Sequence, residues 1–244
     1  MARVGFDYGG EVPAKAGSSF KQPEVGETTA RVKSIIHIGH YAKVWKGKKN
    51  APAPYVVVVF ELHGNFEDDG ETPIDSSISF ALKSGEKSTL TKFLDAIDPK
   101  GVTTGFNDCI GLPISLNLKA GKDKNEDGAP KYVNIAGMSA VAASLLKLPQ
   151  ATLEEVLPPV KCPGVGHVAF KDLTKEAILE LNAYLHVAGI LEKSESFKGS
   201  AAEAVLAAIR KEDPEYGKTD KTDEEQSPTP DAPQPPDMDD AQEF

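Results

Sequence analysis

The run Tyr55-Val56-Val57-Val58-Val59-Phe60 constrains the fold of this chain more than any other stretch. β-Branched and aromatic side chains are stiff at the first torsion and sit well on a pleated surface, so 55–63 reads as a strand, with Phe60 expected in the core. It is also the longest apolar run, far short of the roughly 18–20 residues a membrane span needs. Its neighbours repeat the extended character. ARVKSIIHI at 30–38 is β-branched with partial alternation, and SSISFAL at 76–82 alternates so that one face is wet. LPISLNLK (112–119) and KYVNIAGM (131–138) alternate too, joined by a Gly- and Asp-rich connection that suits a hairpin. Between the third and fourth strands, Leu90, Phe93, Leu94 and Ile97 fall at helical spacing, with Ser84 as the expected cap and Pro99 as the stop.

The order is therefore strand, strand, strand, helix, strand, strand. This predicts a mainly β protein with added helices, built on a five-stranded OB-fold barrel, the partly open Greek-key arrangement with one helix before its fourth strand. An SH3-like barrel lacks that helix, and a βαβ design needs helices in every connection. Beyond residue 145 the pattern turns helical. LPQATLEEVL is expected to end at Pro158 and Pro159, and CPGVGHVAF is a loop or an added strand. Ala177, Ile178, Leu181 and Leu185 are expected on one buried face, and Ser200 caps a last helix. The expected organisation is an irregular arm at 1–29, the barrel at 30–145, a helical extension at 146–215 and a disordered acidic tail at 216–244. The N-terminal residues lack the apolar core of a signal peptide and the two cysteines, Cys109 and Cys162, show no paired spacing, so a cytoplasmic location is expected.

A net charge of -10 argues against a partner made of phosphates, until its distribution is considered. Twelve of the 37 acidic residues but only two of the 27 basic ones lie from Glu212 onward. The preceding body is thus neutral and free to carry a basic face.

Oligonucleotides bind OB-folds across the second and third strands, between the loop joining strands one and two and the loop joining strands four and five. The first such loop carries Lys43, Lys46, Lys48 and Lys49 interleaved with Tyr41 and Trp45, the single tryptophan. The second carries Lys119, Lys122, Lys124 and Lys131, with Tyr132 after it. Both are expected side by side at one rim, cations on phosphates and rings stacked on bases. Tyr55, Phe80, Lys33 and Lys83 complete the candidate DNA-binding set. The final Asp237, Asp239, Asp240, Glu243 and Phe244 combine acids with a terminal ring, a pattern suited to an apolar pocket beside a basic residue on a protein partner.

Other signals lose to simpler readings. Asp123 to Gly128 imitates the start of a calcium loop, but its twelfth position is Asn134 rather than a bidentate Glu. Asp68, Asp69, Glu71 and Asp75 read as a solvated connection, and Cys162 with His167 lacks an acyl-transfer context. The five histidines are scattered; His37, His40 and His63 could approach one another in the barrel, but no HxxxH or HExxH helix occurs. Neither a P-loop nor a dinucleotide glycine signature occurs. A non-enzyme without cofactor or metal is expected.

These features together resemble the single-stranded DNA-binding proteins of bacteria and their phages, in which an OB-fold core precedes an acidic tail ending in Phe. The likeness to phage-encoded members rests on KVWKGKKNAPAPYVVVVFEL, and covers about residues 30–140 and the tail. It implies sequence-independent binding of single-stranded DNA in phage replication, recombination or repair, inside the host cytoplasm, with possible self-association. It also implies that Asp237, Asp239, Asp240, Glu243 and Phe244 recruit a polymerase, helicase or primase. The bacterial tails end in Asp-Ile-Pro-Phe, whereas Ala241, Gln242, Glu243 and Phe244 end this one, which points to phage partners. An assembly protein that binds other proteins through barrel and tail is the competing expectation.

Overall fold

The structure, a computed structural model, describes residues 21–45, 47–124, 128 and 130–217, with Trp45 described by its backbone alone. The expected arm and tail thus lie largely outside the described residues. What is described is a mainly β protein: an open six-stranded sheet flanked by helices.

Strand β1 (Gly26–Tyr41) is the spine. β2 (Val44–Trp45) and β3 (Lys48–Lys49) form a small separate hairpin, followed by β4 (Ala53–Phe66) and β5 (Pro73–Ala81). Helix α1 (Thr89–Ile97) and the single turn α2 (Phe106–Cys109) precede β6 (Pro113–Ala120) and β7 (Val133–Ser139). The hydrogen-bonded order is β5-β4-β1-β6-β7, all antiparallel. A short β8 (Gly166–Val168) adds to β1 in parallel at Ser34–Ile36, where β6 has left it. β5 and β7 approach each other but share no ladder, so the sheet stays open.

Two cores sandwich this sheet. Val32, Ile35, Val56, Val58, Phe60 and Leu62 face inward onto α1 and β6, whereas Ile36, Ile38, Val57 and Val59 face outward. The four valines are thus buried on alternating sides, which is why the run needs no polar residue. A bulge between Val32 and Ser34 lets Val32 and Ile35 share the inner core despite a spacing of three. α1 is capped by Ser88, whose hydroxyl accepts from the Thr91 N–H at 3.1 Å, not by the expected Ser84; a turn closed by the Ser88 N–H on Gly85 O (2.9 Å) delays the helix by four residues.

The extension begins with α3 (Gln150–Val156), which buries no residue, and closes the outer core with α4 (Lys175–Glu180), a wide helix with five-residue bonding (Ala183–Leu191) and α5 (Ala201–Glu212). Leu173, Ile178, Leu181, Val187, Leu191, Leu206 and Ile209 pack on Ile36, Ile38, Val57 and Val59. The extension is thus seated on the sheet. The expected face Ala177, Ile178, Leu181, Leu185 holds for the first three, but Leu185 is 45% exposed. Asn182 restarts the helix by accepting the N–H groups of Tyr184 and Leu185, and the wider winding turns Leu185 outward while burying His186 and Val187.

Polar staples fix the segment of the extension between α3 and β8. The Arg31 guanidinium donates to the carbonyls of Pro158 (2.6 Å), Leu157 (2.7 Å) and Gly111 (2.7 Å). Glu61, 2% exposed, accepts the N–H groups of Lys161 (2.6 Å) and Cys162 (2.8 Å), and Glu180 accepts from the Ser34 hydroxyl and from Val165 N–H (2.9 Å). Gly39, at φ +86°, lets β1 pass so close to the Ser194 hydroxyl that a Cβ there would collide with it.

Candidate nucleic-acid interface

The cations expected to bind DNA fall into two groups set by strand register. β1 ends at Tyr41 opposite Ala53, and β4 pairs with β5 through Tyr55 and Ala81. The β2–β3 hairpin, closed by Asn50 N–H on Lys43 O (3.0 Å), therefore hangs from the same end of the sheet at which β5 finishes. Leu82 N–H on Pro54 O (2.7 Å) holds the next residue, exposed Lys83, beside it. Lys48 and Lys49 are exposed, and Lys43 is half-buried. Among the described residues one ion pair reaches this group, between Lys49 Nζ and exposed Glu195 at 3.4 Å. A surface pair of this length contributes little and yields readily to a phosphate.

Tyr41 and Tyr55, at the root of the hairpin, meet edge to face at 5.4 Å. Burial, then the neighbouring Tyr41, raises the Tyr55 phenol above its ordinary pKa, so it stays protonated. Tyr55 also packs on the outer core, which holds the ring in place. Lys46 lies outside the described residues, as does the side chain of Trp45, whose backbone pairs with Lys48.

Lys119, Lys122, Lys124 and Lys131 are exposed around the β6–β7 connection, with Tyr132 43% exposed and Lys131 Nζ 5.4 Å from its ring centre. That connection is rooted where Gly26 pairs with Leu118, the opposite end of β1 from the β2–β3 hairpin. The two lysine loops are thus not neighbours at one rim. A hairpin between β6 and β7 has to sit at the start of β1, because β6 runs antiparallel to it, and a hairpin after β1 has to sit at its end.

Two further candidates are engaged within the protein. Phe80 is 3% exposed and packs on Phe93 at 5.8 Å in the inner core, since it shares the inward face with Ile74 and Ile78. It offers no ring for stacking. The Lys33 ammonium is held by Asp75; burial opposes its charge, but the hydrogen bond and charge of Asp75, with Glu180 and Glu61, outweigh that and raise its pKa. The Lys33 ammonium is thus engaged by a protein carboxylate. The tail residues Asp237, Asp239, Asp240, Glu243 and Phe244 lie outside the described residues.

Sequence reasoning missed how much of the outer sheet face the extension covers. Val57 and Val59 are sealed, while their partners across the ladder, Ser79 and Ser77 on β5, remain partly open. The missing signal lay in the valine run itself, whose lack of alternation calls for a second covering layer. Both described arginines are spent structurally, Arg31 on carbonyls and Arg210 in a bidentate pair with Glu192 (2.7 and 2.8 Å). The available cations are therefore lysines, which attract phosphate as point charges without reading base edges in the forked manner of arginine. A cavity of about 220 Å³ lies over Arg31, Lys33 and Gly111, and both of its cations are already committed to protein partners.

No family model and no curated protein matches the chain. No helix of the described residues is long and apolar enough to cross a membrane.

Proposed function

We propose that this protein binds single-stranded DNA without sequence preference during phage replication, recombination or repair, and acts by binding rather than catalysis. The observation that carries the reading is the gathering of Lys43, Lys48, Lys49 and Lys83 at the end of the sheet that also holds the Tyr41–Tyr55 pair, the first three beside Trp45 on one hairpin. Lysines for the backbone and rings for the bases are the two ingredients of sequence-tolerant strand binding.

We read the sheet as an OB-fold left open between β5 and β7. The reading is supported by the order β5-β4-β1-β6-β7 with α1 between β5 and β6. In that fold the strand crosses β4 and β5; with Val57 and Val59 covered, the path shifts to the outer side of β5, past Ser77 and Ser79, and up to the β2–β3 hairpin. The acidic segment through Asp237, Asp239, Asp240, Glu243 and Phe244 then recruits replication proteins such as a polymerase, helicase or primase. The excess negative charge of the sequence lies from Glu212 onward, so the body before it is neutral and open to phosphate.

Titrating the full chain with oligo-dT at two salt concentrations tests this, reading Trp45 emission and the anisotropy of a labelled oligonucleotide. Quenching, with an affinity that falls with salt at a log-log slope of about −0.7 per phosphate contacted, supports the proposal. Absence of both quenching and salt-dependent binding rejects it and leaves a protein-binding assembly factor.

A further inference from the structure

All five histidines lie among the described residues, and two of them meet although 130 positions separate them. His37 on β1 and His167 on β8 bring their Nε2 atoms to 3.0 Å, with ring centres 5.1 Å apart. The approach is built in: β8 joins β1 in register Ile35–His167, and Phe106 of α2 packs against both rings at 5.7 and 5.5 Å. Both rings are half-buried rather than sealed, so solvent reaches them.

We propose that His37 and His167 form a chelating pair for a borderline divalent transition ion such as zinc. Imidazole nitrogen is the ligand type such ions prefer. An ion about 2.0–2.1 Å from each nitrogen at a roughly tetrahedral angle separates the nitrogens by about 3.3 Å and the ring centres by about 5.2 Å. The observed ring separation already meets the second figure, and the nitrogens need part only slightly; the Nε2 proton of whichever ring donates passes through solvent to that ring's Nδ1, so that both Nε2 lone pairs face the ion. No group of three or more His, Cys, Asp and Glu side chains converges as a cage among the described residues, so water fills the remaining positions. The ion would then tie β8, and the helices that follow it, to β1.

The test is zinc titration of the full chain by calorimetry and thermal melting, comparing wild type with His37→Gln, His167→Gln and the control His40→Gln, whose ring is engaged with Ser196. The expected result is one ion per chain and a melting temperature that rises with zinc. Either substitution at the pair should lower affinity by about tenfold or more, since loss of a ligand costs at least what loss of an outer partner does. His40→Gln should bind as wild type. Nitrogen NMR of the wild type gives a reading independent of variant folding: the ring signals of His37 and His167 should move with zinc while those of His63 and His186 stay. Zinc binding that survives both substitutions, unmoved His37 and His167 signals, or no binding at millimolar zinc overturns the assignment.

Discussion

His186 should make the stability of this protein depend steeply on pH, and replacing it should remove that dependence. Its ring is fully buried in the wide helix, and among the described residues neither ring nitrogen has a hydrogen-bond partner. Burial alone lowers its pKa from 6.5 to about 4. The folded state therefore holds this imidazole neutral over a range in which the unfolded chain protonates it. Above pH 6.5 neither state carries the proton and the residue adds no pH dependence. As pH falls from there towards about 4, the unfolded state gains a proton that the fold refuses, and stability drops by about 1.4 kcal/mol per pH unit, roughly 3 kcal/mol in all. At pH 5 the loss is about 2 kcal/mol. His186→Leu keeps the volume approximately, removes two unpartnered polar atoms and should stabilise at neutral pH by about 1–3 kcal/mol. Urea unfolding of both proteins by circular dichroism, near pH 7.5 and near pH 5, measures the difference: the advantage of the variant should widen by about 2 kcal/mol at the lower pH. An advantage that stays constant between the two pH values refutes the reasoning, because the other four histidines are common to both proteins.

Replacing Lys43, Lys48 and Lys49 together by Glu should weaken oligo-dT binding and flatten its salt slope by about 2, at roughly −0.7 per lost phosphate contact, whereas Lys119→Glu with Lys131→Glu should have the smaller effect on a short oligonucleotide; anisotropy titrations over a salt series decide it. Glu61→Ala should cost about 3 kcal/mol, because two N–H groups lose a charged acceptor, and hydrogen exchange should quicken first at Lys161 and Cys162. Gly39→Ala should cost about 2 kcal/mol by forcing a side chain into a left-handed backbone and against Ser194, while Gly85→Ala, with open space and ordinary φ, should melt close to wild type.

What could be read from the sequence was what repeats locally. The strand at 53–66 follows from its valines, the β6–β7 hairpin from alternation around a Gly- and Asp-rich turn, and α1 from the spacing of Leu90, Phe93, Leu94 and Ile97. What stayed hidden depends on residues far apart in the chain. Arg31 reads as one cation among 27 until it reaches Leu157 and Pro158, and Glu61 reads as the polar break in a strand until it caps two amides a hundred residues on. The restart at Asn182 escaped because 3.6-residue periodicity carries straight through Leu181 and Leu185, and the side-chain cap that breaks it has no periodic mark.

The candidate site obeys the same division. Which residues are cationic and aromatic is a matter of composition, and Lys43, Lys48, Lys49, Tyr41 and Trp45 stand close in sequence, so they also stand close in space. Grouping them with Lys119 to Lys131 required knowing which end of β1 each loop leaves, and strand direction answers that: antiparallel neighbours of one strand hang successive hairpins from opposite ends. The 16 residues of β1 span at most about 50 Å when straight, and its two bulges shorten that. On the proposed reading, an oligonucleotide too short to bridge those ends engages the β2–β3 hairpin alone. The Lys119–Lys131 loop then adds affinity only as the strand lengthens, so the dependence of affinity on oligonucleotide length separates one continuous path from two independent patches.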